Sequence, residues 1–225
     1  MLVKCPYLSH FPTLKHAFFE YNPSISDKQK VEHMAGHPLP LATMKQVHGT
    51  NVLSVTEETT GQEADGLVTN VKGISLGVVT ADCGPVLFYD PIAEVIGACH
   101  AGWKGAKAGI IHATLNAMEE IGGKRSQIYA SLGPTIQQKD YEVGPEFPDL
   151  IGGNYNKYFK PAKKKDHHYF CLPTYIHDLL LKEKVFEIFD IKVNTFKGPY
   201  ASRRRIVSQG KEYGKENNFS AIAIV

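Results

Sequence analysis

The chain has no apolar run approaching the roughly 18 residues that a membrane-spanning helix requires. Its opening residues, MLVKCPYLSHFP, meet prolines at positions 6 and 12 before the apolar core of a signal peptide could form. Both absences lead to the expectation of a cytoplasmic protein. The four cysteines, Cys5, Cys83, Cys99 and Cys171, include no CxxC pair, which excludes a disulfide scaffold and leaves them as thiols in a reducing compartment. An excess of one charge is missing too. With 25 Lys and Arg against 23 Asp and Glu, the formal net charge is +2, too balanced for bulk attraction to nucleic acid or to a membrane surface. Small molecules are therefore the expected partners, with a monomer favoured. Internal repeats and low-complexity segments are also lacking. What remains is 225 residues, 43% hydrophobic and 21% charged, sufficient for one core and read as a single domain over residues 1–225.

Within that chain, ADCGPVLFYDPIAEVIGACHAGWKGAKAG, residues 81–109, concentrates the chemistry. Two apolar segments flank a turn at Asp90-Pro91 and predict an antiparallel hairpin, which brings Cys83 beside His100. The glycine-rich Ala-Gly-Trp-Lys-Gly that follows leads into a helix N-terminus, where backbone N–H groups point outward toward an anion.

Elsewhere the pattern alternates strands and helices, giving an α/β (α+β) class. LKHAFFE reads as a strand and Asp27 to Met34 as a short helix. His33 and His37 share helical i, i+4 spacing, but Gly36 and Pro38 stop the helix, so they read as surface histidines. LATMKQVHG and VLSVTE predict a hairpin turning at Gly49-Thr50-Asn51, with His48 at its tip. Asp65-Gly66 reads as a bend, and GISLGVVTADC as a buried strand delivering Asp82 and Cys83. Gly105 to Ile121 predicts an amphipathic helix ended by Gly122-Gly123. SQIYASLGP is a further strand, and DYEVGPEFPDLIGG a passage from strand to helix. Residues 152–168 read as a basic surface loop in which Lys163 to Lys165 are solvated. Thr174 to Phe189 has helical spacing, IKVNTF and AIAIV read as strands, and the polar segment 199–218 either coats the surface or closes over a site.

Cys83 and His100 alone support a nucleophile with its base or two ligands of a soft metal. Adding His48 makes a His/Cys/His set, and three N/S ligands with a vacant fourth position is the pattern of catalytic zinc. Cys83 as a small core side chain is the third reading, since cysteine is often buried.

QVHG around His48, ADGLVT, ADCGPVLFYDP, GACHAGWKG and the LGP and YEVG pair resemble, in order and spacing, the successive motifs of the YfiH family, also called laccase-domain or polyphenol-oxidase-like. The resemblance runs from about Leu41 to about Tyr141 and resumes near the C-terminus. It implies a layered α/β/β/α sandwich with mixed sheets, CNF/YfiH-like and similar to cysteine hydrolases. It also implies zinc on His48, Cys83 and His100, and purine nucleoside phosphorylase activity on adenosine, inosine or methylthioadenosine, with adenosine deaminase as a second activity. In that reading Cys83 is catalytic as well as a ligand, and Asp82 or Asp65 moves a proton. Lys104 with Arg203 or Arg204 holds phosphate, Trp103 stacks on the base, and Gln46 is a further substrate contact. The chain departs from the family at Lys104, where arginine is usual, at Ser202 to Arg205, only approximately matched, and at Gly214-Lys215, where Gly-Arg is usual.

Three rivals follow from the same residues. Copper could replace zinc in this position, giving a mononuclear copper polyphenol oxidase, but a multicopper laccase site commonly uses His-x-His pairs and the chain has none. A metal-free enzyme would use Cys83 as nucleophile toward an amide or ester. A binding protein would use zinc only to fasten strands.

Overall fold

The computed structural model describes residues 2–152, 155–214 and 216–225. In chain order the elements begin β1 (Leu2–Val3), β2 (Leu14–Phe19), α1 (Asp27–Ala35), β3 (Leu41–Ala42), β4 (Val52–Ser54), β5 (Gly66–Thr69) and β6 (Ser75–Thr80). Then come β7 (Gly84–Asp90), β8 (Val95–Ala101), α2 (Trp103–Ala108), α3 (Ile110–Glu120), β9 (Tyr129–Leu132), β10 (Glu142–Val143), α4 (Phe147–Ile151) and α5 (Tyr155–Tyr158). The chain closes with β11 (Phe159–Pro161), β12 (His168–Phe170), α6 (Leu172–Lys182), β13 (Glu187–Asp190), α7 (Arg203–Ser208) and β14 (Asn218–Ile224).

Two mixed sheets form the centre. One runs β1-β2-β14-β6-β3, the other β13-β9-β7-β8-β5-β4, and β10-β12-β11 form a third, small antiparallel sheet whose Val143, Phe159 and Phe170 share a core with the six-stranded one. The period-two alternation of the strands sorts their side chains into layers. In β7, Leu87 and Tyr89 pack with Leu76, Val78 and Ile222 of the facing sheet, while Val86 and Phe88 turn to Ile111, Leu115 and Met118 of α3 and Ile176 of α6. In β14, Ile222 and Ile224 face inward, while Phe219 and Ala221 meet Val31 and Met34 of α1. Helix, sheet, sheet and helix follow one another, the layered α/β/β/α sandwich that the resemblance implied.

Helix α1 forms as expected, with a capping box between Ser26 and Gln29 and a left-handed Gly36 at its end. Other expectations are corrected. The segments around His48 do not pair with each other: β3 runs parallel to β6 in one sheet and β4 parallel to β5 in the other. Alternating hydrophobicity specifies a half-buried strand but not its partner, and here the turn carries the chain between sheets. Asp65-Gly66 is no exposed bend. Asp65 is wholly buried and Gly66 opens β5, where a Cβ would come within 2.9 Å of Thr114 and Val52. The helix predicted over 105–121 is two, broken at left-handed Gly109. The helix expected to reach Phe189 ends at Lys182, and residues 187–190 instead pair in parallel with β9. IKVNTF forms no named strand, only an isolated bridge from Asn194 to Thr135. The segment 152–168 contains α5, β11 and the start of β12, and its residues 153 and 154 lie outside the described residues. No helix among the described residues is long and apolar enough to cross a membrane.

His16, on β2, is 2% exposed and its Nε2 accepts the Cys5 N–H at 2.8 Å. Burial, with Lys4 nearby, lowers its pKa from the ordinary 6.5 to about 4. Between these values the unfolded chain binds the proton that the folded chain refuses. Stability is therefore complete above pH 6.5 and falls as the pH drops toward 4, by ~3 kcal/mol at most for this one group. Denaturant titrations at pH 7.5 and pH 4.5 should show that loss, and His16→Gln, which keeps an acceptor but cannot titrate, should reduce the difference between the two curves.

Candidate metal centre and substrate cavity

The register of β7 against β8 pairs Gly84 with Ala101 and Pro85 with His100, so Cys83, one residue before β7, falls beside His100. His48 arrives from the turn between β3 and β4, in a left-handed conformation with φ 62°. One residue fixes both histidines. The Asp65 carboxylate accepts the N–H groups of Val47, His48 and Gly49 at 3.0, 3.1 and 2.7 Å, and the Nδ1–H of His100 at 2.7 Å. Burial would push the Asp65 carboxyl up, but the His100 bond and those backbone donors outweigh it and hold it below the usual carboxylate range.

With Nδ1 given to Asp65, His100 turns Nε2 toward the other two ligands. The His48, Cys83 and His100 donor atoms all lie within 4.8 Å of one another, and the two imidazole rings meet edge to face at 4.7 Å. Burial would raise the Cys83 thiol, yet the charge of His100 and hydrogen bonds from both histidines bring it down to about 7. His100, which burial alone would lower, is raised to about 9 by the Cys83 thiolate and by Asp65. A thiolate and two imidazoles suit zinc chemically, and a carboxylate behind one of them is the usual outer support of such a site. Space is reserved as well: a Cβ on Gly102 would lie 2.9 Å from the Cys83 sulfur and 3.3 Å from the His48 ring. Among the described residues, this trio is the one group of three or more His, Cys, Asp or Glu side chains close enough to share an ion.

His48 and Cys83 line a cavity of about 910 Å³, with His100 buried behind them. Lys104, Arg203 and Arg204 give it a cationic wall, and Trp103, Tyr141 and Tyr213 an aromatic one. The Arg204 guanidinium lies over the Tyr141 ring at 5.4 Å, Lys104 over Trp103 at 5.6 Å, and Trp103 itself packs edge-on against Phe147 at 4.8 Å. Arg203, Arg204, Val207, Ser208 and Tyr213 thus bring part of the segment 199–218 to the site.

Among the described lining residues Asp82 is the one carboxylate, with its oxygens accepting the Thr195 hydroxyl and the Arg204 N–H, each at 2.7 Å. Asp65 does not reach the cavity. Gln46 is also absent from the lining: its side-chain amide donates to Val79 O at 2.8 Å and accepts the Val79 N–H at 2.9 Å, which pins the approach to His48 onto β6. Lys215 lies outside the described residues. Sequence reasoning missed Tyr141, Tyr213 and Thr195, because their contacts come from segments far apart in the chain and nothing local marks them.

Residues 25–222 match the model of the family described as multi-copper polyphenol oxidoreductase laccase. The chain belongs to this family. It is 32% identical over 225 residues to a purine nucleoside phosphorylase of Rickettsia conorii, covering 95% of this chain and 92% of that one. It is 44% identical over 106 residues to a purine nucleoside phosphorylase of Deinococcus radiodurans, covering 47% of this chain and 41% of that protein. Its fold matches that of Bacillus licheniformis YfiH, with a TM-score of 0.77, 24% identity and coverage of 94% and 93% of the two chains. Geobacillus stearothermophilus YlmD gives 0.81, 20% identity and coverage of 98% and 94%.

Two substitutions test the geometry without touching a ligand. Gly102 has φ −72° and ψ 164°, which any residue adopts, so Gly102→Ala should fold normally while its methyl crowds the Cys83 sulfur and weakens metal binding. Asp65→Asn removes the charge behind His100 and should weaken metal binding about 10- to 100-fold. Competition against a chromophoric chelator, with thermal melts to verify folding, measures both.

Proposed function

We propose that this protein is a zinc-dependent purine nucleoside phosphorylase, converting adenosine, inosine or methylthioadenosine with inorganic phosphate to the free base and the corresponding ribose 1-phosphate, with adenosine deamination as a second reaction. The observation that supports it most directly is a single cavity lined by His48 and Cys83 of the His/Cys/His trio, by a cationic wall and by an aromatic wall. The similarity to the Rickettsia conorii purine nucleoside phosphorylase over nearly the whole chain points the same way.

His48, Cys83 and His100 would hold the zinc, which would supply the Lewis acid that deamination requires. For phosphorolysis the protein must hold an anion against a sugar carbon. The C1′–N9 bond breaks with its electron pair going to the purine, and a phosphate oxygen forms the new bond to C1′. Lys104, Arg203 and Arg204 hold that phosphate by charge-assisted hydrogen bonds. Tyr141 beneath the Arg204 guanidinium keeps its planar donors in place. Tyr213 and Trp103, both in the cavity lining, offer apolar surface to the base. Of the two carboxylates considered for proton transfer, Asp65 is enclosed and both oxygens of Asp82 are engaged by the Thr195 hydroxyl and the Arg204 N–H. The reading takes the enzyme as cytoplasmic and monomeric, with nucleoside and phosphate as its partners.

A second reading has its own support. Cys83, His100 and Asp65 form a chain of thiolate, imidazolium and carboxylate, the arrangement of a cysteine hydrolase. A third keeps the copper of the family's description in the same position.

Metal content and turnover discriminate among them. Purified wild type should carry about one zinc per chain and release adenine from adenosine only when phosphate is present. Cys83→Ala should lose the metal and lower turnover by about three orders of magnitude or more. Arg203→Ala should chiefly raise KM for phosphate, by about tenfold. A metal-free wild type that hydrolyses amides or esters would establish the hydrolase, copper with phenol oxidation the oxidase, and zinc with no turnover a binding protein.

A further inference from the structure

Asp82 occupies the crossover from β6 to β7 in a left-handed conformation, φ 89°, uncommon for any residue but glycine and tolerated best by Asp and Asn. From there it binds three separate parts of the chain. Its carbonyl accepts the Ile136 N–H at 3.0 Å, Oδ1 accepts the Thr195 hydroxyl at 2.7 Å, and Oδ2 accepts the Arg204 N–H at 2.7 Å. Thr195 is fully buried, and its N–H is bonded in turn to Thr135 O at 3.0 Å.

Helix α7, which carries Arg203 and Arg204, has six residues, too few to hold its own shape or place in water. Its first turn is capped locally by the Ser202 hydroxyl, which accepts the Arg205 N–H at 3.1 Å. Besides the Arg205 guanidinium, which donates to the nearby carbonyls of Phe196, Gly198 and Tyr200, two distant anchors fix it to the body of the protein. Asn218 on β14 pairs with Ala201 through both halves of its amide, at 2.7 and 2.9 Å, and Asp82 takes the Arg204 N–H. A carboxylate suits this duty because it accepts on both oxygens, whereas an asparagine must turn its NH₂ toward one of two donors.

We propose that Asp82 and Thr195 form a latch that fixes α7, and through it the two arginines of the cavity wall, so that Asp82 is a positioning residue for phosphate rather than the proton-transfer group of the reaction. The phosphate clause rests on the phosphorylase reading; the latch itself does not.

The test uses the metal-loaded full chain and Asp82→Asn, Thr195→Val and Thr195→Ser. Hydrogen exchange of peptides covering 203–208 is followed without substrate, and KM for inorganic phosphate and kcat are measured with adenosine. Asp82→Asn and Thr195→Val should each speed exchange in α7 about tenfold and raise KM for phosphate about tenfold, with kcat within about threefold of wild type and zinc content unchanged. Thr195→Ser, which retains the hydroxyl, should behave as wild type. Unaltered exchange would overturn the latch. Faster exchange with unchanged KM would overturn its link to phosphate, and so would a collapse of kcat with KM unmoved, the signature of a lost proton donor. A wild type without phosphorolysis would remove the phosphorylase reading while the exchange data still decided the latch.

Discussion

A carboxylate cannot be buried without compensation, and the site is organised around how Asp65 obtains it. An ion of this size loses several kcal/mol of hydration in a protein interior unless donors replace the water. Asp65 recovers them from three consecutive backbone N–H groups, Val47 to Gly49, and from the His100 ring. The three N–H groups converge on one carboxylate only if the chain curls around it, which is where the left-handed backbone of His48 arises. A single buried charge thus fixes the orientation of one imidazole and the backbone that carries the other.

The location of the site follows from the layered fold. His48 lies where the chain leaves β3 of the five-stranded sheet for β4 of the six-stranded one, and Cys83 where it leaves β6 for β7. Both crossovers pass beside the C-terminal end of β8, which supplies His100. A chain changing sheets cannot continue its ladder, so its polar groups must find other partners and its backbone adopts rarer conformations. His48 and Asp82 both have positive φ. Such strain persists where surrounding contacts determine it fully, and here the contacts that do so are those that shape the cavity.

What was legible in the sequence was local. The Cys83–His100 juxtaposition followed from antiparallel pairing about Asp90-Pro91, and the observed register bears it out. His48 reaches the same place by a route the alternation did not foretell, because hydrophobic period specifies which face is buried and not which strand is the neighbour. Asp65 was misread for the same reason. Asp-Gly reads as a turn when only its neighbours are considered, and the donors that keep it inside come from residues 16 to 35 positions away. Gln46, Thr195 and Tyr141 show the further limit. Gln46 grips Val79 from 33 positions off and Thr195 meets Asp82 across 113, separations at which composition and spacing say nothing.

The arginine run Arg203 to Arg205 illustrates how the fold divides what a sequence presents as one feature. Successive helical residues point about 100° apart, so three in a row cannot serve one face. Arg203 and Arg204 border the cavity, while Arg205 turns back and donates to the carbonyls of Phe196 and Gly198 at 3.1 and 3.0 Å and to that of Tyr200. That third guanidinium ties α7 to the loop bearing Thr195, whose hydroxyl in turn holds Asp82. Helix, loop and crossover are therefore cross-linked in a closed circuit. The cationic wall is fixed relative to Cys83, the immediate neighbour of Asp82, and an anion bound by the arginines would be registered against the thiolate and its histidines without any direct bond between the two halves of the site.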